Sequence, residues 1–220
     1  MKELKVYKNF PPEISVILPT YNRASLILRA VHSVLSQTIH DWELIVIDDG
    51  SSDNTFSILD ELILAHENIR YCKHRNRKLP LALNTGLSLS VGRFVTFLGS
   101  DDEYLNNHLE TRLAYMKSHP DIDLIYGGVK IIGNQYVKDV HNLDKLIHLN
   151  DCVIGGSLFG KRVLFNSVGG FSNIIYGEDY DLVQRAKPHF NIEKVDLEQS
   201  YIYYRDALDS ICNNIGKNDF

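Results

Sequence analysis

Apolar and polar positions along this chain fall into two rhythms that take turns. After Pro11 and Pro12, "ISVILP" is a continuous apolar run rich in β-branched residues, the pattern of a strand buried on both faces. "TYNRASLILRAVHSVLSQT" then places Leu26, Ala30, Val31, Val34 and Leu35 at helical spacing. The same grammar repeats. A strand is predicted from Glu43 to Ile47 and a helix through "FSILDELILAH", capped around Ser52 or Asp53. "NIRYCKH" gives a shorter third strand, the basic loop "RNRK" leads into a short helix ended by Gly92, and "RFVTFLG" gives a fourth strand. Four alternations of strand and helix in about the first hundred residues predict an α/β fold with a mostly parallel central sheet covered by helices on both faces.

The second half is less regular. "DIDLIYGGVKIIGNQYV" reads as a strand with a hairpin-like extension turning at Gly127, Gly128 and Gly133, a smaller antiparallel addition to the sheet. A loop from His141, a short strand around Ser157 to Gly160 and a helix ended by Gly169 and Gly170 follow. "YGEDYDLVQRAKPHF" opens a last helix with carboxylates in its first turn, and "YIYYRD" reads as a late strand. With no repeat, low-complexity tract or linker, residues 1–220 are expected to form one domain.

Composition narrows the class. Hydrophobic content of 44% with 23% charged residues is that of a globular protein, and a net charge of −5 without like-charge runs does not suggest a nucleic-acid partner. Cys72, Cys152 and Cys212 are odd in number and widely spaced, as expected of free thiols rather than disulfides or a metal cluster. The N-terminal run carries no apolar signal-like region, so a cytoplasmic location is expected, compatible with work at the inner face of a membrane.

In parallel sheets ligands sit beyond the carboxyl ends of the strands, and three strands here end in suitable groups: Pro19-Thr20-Tyr21, Asp48-Asp49 and Asp101-Asp102. Taken alone, Asp48-Asp49-Gly50 fits a turn as well as a site. Ser100 and Asp101 also suit the N-cap of a helix through "DEYLNNHLETRLAYMKSH". Two adjacent carboxylates, however, raise each other's pKa unless a cation lies between them. Mg²⁺ or Mn²⁺, usually held by one or two carboxylates plus substrate phosphates, would relieve that repulsion.

Together, "SVILPTYNRASLILRAVHSVLSQT", "WELIVIDDGSSDNT", "ALNTGLSLSVGRFVTFLGSDD" and "GEDYDL" resemble, in order and spacing, the motifs of the family 2 inverting glycosyltransferases of the GT-A fold. The resemblance covers roughly residues 13 to 190. It implies a nucleotide-binding half at about 13–102 and an acceptor-binding half at about 103–205. It also implies that Pro19, Thr20 and Tyr21 line the base and ribose, that Asp49 accepts a hydrogen bond from the base, and that Lys78 meets the nucleotide. Asp101 and Asp102 fall on the family's DXD-type metal site, one for the ion and one for the ribose or a metal-bound water. Asp179 matches the catalytic base, Glu178 would orient base or acceptor, and Asp181 would brace the turn; the alternative for these acids is complementing a helix dipole.

The implied activity is metal-dependent transfer of a hexosyl or N-acetylhexosaminyl group from a nucleotide-diphosphate sugar, by default a UDP-sugar, to a hydroxyl of a glycan or lipid-linked acceptor. The chain departs from the family at Gly99, where members commonly carry a first Asp, and at Ala207, where a late His is common; Asp206 or Asp209 could compensate. Two other classes stay open: an inactive sugar-nucleotide binder, and a sugar nucleotidyltransferase, although "LPTYNRAS" lacks the glycines of a phosphate loop.

Overall fold

The computed structural model of the protein describes residues 11–205; Asp206, Ala207, Asp209 and Cys212 lie outside the described residues. Strand and helix alternate through the first half: β1 (Ile14–Thr20), α1 (Ile27–Leu35), β2 (Trp42–Asp48), α2 (Thr55–Ala65), β3 (Ile69–Lys73), α3 (Leu79–Leu89) and β4 (Phe94–Phe97). The second half holds β5 (Glu103–Tyr104), α4 (His108–Ser118), β6 (Leu124–Tyr126), β7 (Val129–Ile132), β8 (Tyr136–Asp139) and β9 (Asn142–His148). It ends with β10 (Phe159–Lys161), α5 (Arg162–Ser167), α6 (Glu178–Ala186), β11 (Ile192–Lys194) and β12 (Tyr201–Tyr204).

Seven strands form the central sheet in the order β11-β6-β10-β4-β1-β2-β3. All its pairings are parallel except those of β10, which runs antiparallel to both β4 and β6. Its two faces are set by the pleat. Ile14, Val16, Leu18, Leu44 and Val46 pack with α1 and with Leu59 of α2, while Ile17, Ile45, Ile47, Val95 and Phe97 pack with α3, α5 and α6. A strand covered on both sides is apolar at nearly every position, which is why β1 and β2 read as almost continuous apolar runs; the buried exceptions within the runs, Ser15 and Glu43, satisfy each other, the Ser15 hydroxyl donating to Glu43 Oε1 at 2.6 Å. At Gly86 of α3 a Cβ would lie 2.3 Å from Ile17 Cγ2, so a glycine lets the helix sit directly on the sheet.

Three expectations need correction. No helix begins at Asp101 or Asp102: Glu103 and Tyr104 pair with Ile202 and Tyr201 as β5, and α4 starts at His108. The stretch from Asn142 is a strand rather than a loop, paired antiparallel with β8. And β7 does not fold back on β6; it pairs in parallel with β12, giving the small sheet β5-β12-β7. The first and third differences reflect a partner distant in sequence, which local periodicity does not report, whereas β9 pairs locally with β8 in a hairpin whose polar, exposed residues carry no apolar strand pattern.

Helix α4 anchors this small sheet through buried polar groups. His108, fully buried, stacks on Tyr104 with ring centroids 3.7 Å apart and lies 3.1 Å from Ser200 Oγ. Arg112, also buried, donates to Ser200 Oγ at 2.8 Å and to the Gly127 carbonyl at 2.9 Å. Burial and the neighbouring Arg112 charge hold the His108 pKa well below the ordinary imidazole value, so the folded protein keeps this ring neutral. The unfolded chain takes up that proton below about pH 6.5, so the native state loses up to ~1.4 kcal/mol per pH unit beneath that point. Urea unfolding of wild type and His108→Gln should therefore show their stability difference shrinking between about pH 7.5 and about pH 5.5; a pH-independent difference would show that His108 is not titrating.

Candidate active site

The carboxyl ends of β1, β2 and β4 open into a cleft of about 990 Å³ whose far wall is formed by the β8–β9 hairpin and the start of α6. Pro19, Thr20, Tyr21, Asp49, Lys78, Asp101, Asp102, Glu178 and Asp179 all line it.

At the first corner, two adjacent acids differ sharply in environment. Asp48 is fully buried, and its carboxylate accepts from the Ser51 amide at 2.7 Å and from the Tyr71 hydroxyl, with Lys73 Nζ 3.7 Å away. It is a turn brace. Asp49 instead lines the cleft; its amide donates to the Thr20 carbonyl at 2.8 Å, and its Oδ1 accepts from the Arg77 amide at 2.7 Å and lies 3.2 Å from His74 Nδ1. Asp49 thus ties the basic loop holding His74, Arg77 and Lys78 to the end of β2. Gly50 makes this approach possible, because at φ +86° it sits where a Cβ would come within 2.8 Å of the Asn76 amide nitrogen. Beside them Tyr21 is 46% exposed, presenting an aromatic face, and the buried Thr20 Oγ1 has no hydrogen-bond partner among the described residues.

At the second corner the chain turns after β4, with the Asp102 amide donating to the Gly99 carbonyl at 3.1 Å. Asp101 is partly exposed, and its carbonyl accepts from the Arg29 guanidinium. Asp102 is buried, its Oδ1 accepting from the Tyr204 amide at 2.9 Å and its Oδ2 from the Tyr201 hydroxyl. Burial, and then the Asp101 charge, push its pKa up to about 7. Both carboxylates converge over Gly99, where a Cβ would lie 2.5 Å from Asp102 Oδ2 and 3.1 Å from Asp101 Oδ1.

Among the described residues no group of three or more His, Cys, Asp or Glu side chains is placed to hold a metal. The pair nonetheless fits a hard divalent cation of the kind that takes one or two protein carboxylates and draws its remaining ligands from phosphates and water. Oxygens of both carboxylates crowd one point, and the Asp101 charge adds to burial, the larger cause, in raising the pKa of Asp102.

At the third corner, Gly177 adopts a left-handed φ of +78° and turns the chain into α6. Asp179 Oδ2 accepts from the Gly155 amide at 2.8 Å and Oδ1 from the Tyr180 amide at 2.7 Å. A helix N-terminus ordinarily favours ionised acids. Here burial outweighs it, and both Asp179 and Glu178 are pushed up, Glu178 further by the Asp179 charge. Asp181 instead bonds Arg185 Nε at 2.8 Å, and Arg185 reaches on to the carbonyls of Val168 and Gly170, a brace along the helix.

Sequence reasoning passed over Tyr201, Tyr204 and Gly155, which bond the acids. The available signal was the alternation in "YIYYRD": Tyr201 and Tyr203, two apart in a strand, both line the cleft.

The mostly parallel sheet flanked by helices, with acidic groups gathered beyond its strand ends, matches the GT-A class of glycosyltransferase folds. The chain matches the model of glycosyl transferase family 2 over residues 15–171, and it belongs to that family. It is 33% identical over 209 residues to the Escherichia coli UDP-Glc:alpha-D-GlcNAc-diphosphoundecaprenol beta-1,3-glucosyltransferase WfgD, covering 91% of this chain and 80% of that protein. Among solved structures, Staphylococcus aureus TarS 1-349 in complex with UDP-GlcNAc superposes with a TM-score of 0.75 at 19% identity, over 90% of this chain and 60% of TarS 1-349. The mannosyltransferase PcManGT from Pyrobaculum calidifontis, in complex with GDP-Man and Mn²⁺, gives 0.68 at 20% identity, over 87% and 56% of the two chains. The chain spans only 33% of a related Rickettsia felis glycosyltransferase.

The partial burial of the acid pair of α6 has a thermodynamic signature. A carboxyl whose folded pKa is raised supports stability fully below its unfolded value, near pH 4, and loses that support as pH rises toward the folded value. Glu178→Gln should therefore melt above wild type at about pH 7.5, with the gap closing toward about pH 4.5. Differential scanning fluorimetry across that range checks this; a variant that melts below wild type throughout would mean Glu178 contributes a net attraction.

Proposed function

We propose that this protein is an inverting, metal-dependent glycosyltransferase that moves a sugar from a UDP-sugar to a hydroxyl of a lipid-linked glycan. One observation carries the reading: the two acidic pairs, Asp101-Asp102 and Glu178-Asp179, face the same cleft as the strand ends holding Thr20, Tyr21 and Asp49. The names of relatives agree with it. WfgD is named for UDP-Glc and a diphosphoundecaprenol-linked GlcNAc, and the TarS complex contains UDP-GlcNAc.

In this reading Pro19, Thr20 and Tyr21 receive the base and ribose, with the orphaned Thr20 Oγ1 offered a partner by the nucleotide. Asp49, its Oδ1 already bonded to the basic loop, presents its remaining capacity to a base N–H. Lys78 approaches the diphosphate. Asp101 and Asp102 hold Mn²⁺ or Mg²⁺, as suggested by Mn²⁺ in the PcManGT complex, and when bound the ion would offset charge developing on the leaving diphosphate.

Asp179 takes the proton from the acceptor hydroxyl as that oxygen bonds to the anomeric carbon from the face opposite the diphosphate. The bond between the anomeric carbon and the diphosphate oxygen breaks in the same displacement, its electron pair leaving with UDP, so configuration inverts. The raised proton affinity of Asp179 suits it to this task, and its two backbone bonds fix the carboxylate for it. Glu178 beside it orients the acceptor. Among the described residues no helix is long and apolar enough to cross a membrane, so a lipid-linked acceptor would be met at the membrane surface.

Asp179→Asn should leave UDP-sugar binding by calorimetry within about twofold while turnover falls by roughly 10² or more; undiminished turnover would remove Asp179 from the role of base. Asp101→Ala should erase the Mn²⁺ dependence of donor binding, and a wild-type protein that binds UDP-sugars equally with and without Mn²⁺ would sink the metal assignment.

A further inference from the structure

Between the two acidic pairs lies a side chain that neither pair accounts for. Tyr201 begins β12 and is 2% exposed. Its hydroxyl accepts from the Gly99 amide at 3.3 Å and donates to Asp102 Oδ2 at 2.5 Å, a line of hydrogen bonds running from the turn after β4 into the carboxylate. On its other side the ring lies against Gly156, where a Cβ would sit 2.1 Å from the hydroxyl oxygen and 2.2 Å from Cζ. Gly156 belongs to the short 3-10 turn Gly155–Ser157, whose first amide donates to Asp179 Oδ2 at 2.8 Å.

The neighbouring Tyr104 shows what a purely structural tyrosine does in this core: its ring is buried and its hydroxyl donates to the Phe97 carbonyl at 2.7 Å. Tyr201 instead directs its hydroxyl at a carboxylate in the cleft. Its strand is held independently by backbone pairing with Tyr104 and Val129, so removing the hydroxyl leaves the scaffold in place.

We propose that Tyr201 is a positioning residue for the transfer reaction, fixing Asp102 through its hydroxyl and Asp179 through the glycine turn packed on its ring. The proposal rests on the glycosyltransferase reading above. One phenol then sets the spacing between the group that meets the donor diphosphate and the group that accepts the acceptor proton, a spacing to which in-line displacement is sensitive.

Two variants test its contacts, one removing the hydroxyl alone and the other displacing the whole phenol. Tyr201→Phe keeps the ring and removes the hydroxyl; it should melt close to wild type while the Mn²⁺ concentration needed for half-maximal UDP-sugar binding rises about tenfold, as expected for losing a hydrogen bond to a charged group. Gly156→Ala places a methyl against the hydroxyl and Cζ of Tyr201, displacing the phenol as well as the turn; it should raise the Mn²⁺ requirement as Tyr201→Phe does and in addition lose about tenfold or more in kcat at saturating Mn²⁺ and donor. Tyr201→Phe alone decides if Gly156→Ala does not fold. A Tyr201→Phe variant with wild-type metal-dependent binding and wild-type kcat would overturn the proposal while leaving the transferase reading intact. Wild-type protein that neither binds nor uses a UDP-sugar would overturn the transferase reading and the Tyr201 role with it.

Discussion

Like charge gathered at the ends of strands is the constraint around which the site is arranged. Asp102 is buried next to Asp101, and in an apolar setting that arrangement favours neutralisation of one acid. It is held as a potential carboxylate because β12 supplies two donors, the Tyr201 hydroxyl and the Tyr204 amide, one to each oxygen. Those bonds oppose the rise in pKa caused by burial and by Asp101, without cancelling it. The position of β12 depends in turn on β7 and β5, and on the buried Arg112 and Ser200 beneath them. The small sheet of the second half therefore acts on the end of a strand in the first.

The same logic governs α6. A helix N-terminus and two backbone amides favour an ionised Asp179, and burial with a neighbouring acid opposes it. In the proposed reaction a base with raised proton affinity is useful only if it stays deprotonated part of the time, and the amides of Gly155 and Tyr180 oppose the rise that burial causes at Asp179. Removing charge from such clusters usually stabilises a fold while costing function. The stability lost here is met by an apolar core on both faces of the sheet, continuous from β1 through β4.

How much of this was legible depended on whether the signal was local. The strands β1 and β2 and helix α1 declare themselves by periodicity, because both faces of the sheet are covered and the pattern lies within a single segment. The corners Thr20-Tyr21, Asp49 and Asp101-Asp102 are visible as polar groups closing apolar runs, Asp179 only through the resemblance of "GEDYDL" to a family motif, and the structure brings them to one cleft. Residue order did not separate Asp48 from Asp49, since the difference lies in Tyr71 and Ser51 on one side and the loop at Arg77 on the other. Nor did it show that Ser100-Asp101-Asp102 leads into a strand: a capping signal was present, but Tyr104 and Glu103 pair with residues almost a hundred positions away. The short strand expected around Ser157 to Gly160 is found as β10, but its antiparallel place between β4 and β6 leaves no signal in a three-residue element.

Gly99 is fixed by the packing of the two carboxylates above it. Relatives implied by the motif place an acid there, yet in this chain a Cβ at that position would come 2.5 Å from Asp102 Oδ2, the oxygen that Tyr201 also holds. A third carboxylate could not be added to the present arrangement; Asp102 would have to leave Tyr201, and with it the buried position that its bonds make tolerable. Glycine at 99 and tyrosine at 201 are thus two sides of one solution, in which amide and phenol donors do for Asp102 what an open, solvated position would do for an exposed acid. Two carboxylates over a glycine leave room for diphosphate oxygens to complete a cation's coordination, as ions of the Mg²⁺ type commonly require. In the proposed function, a glycine at 99 is therefore consistent with a cation site completed by the donor diphosphate.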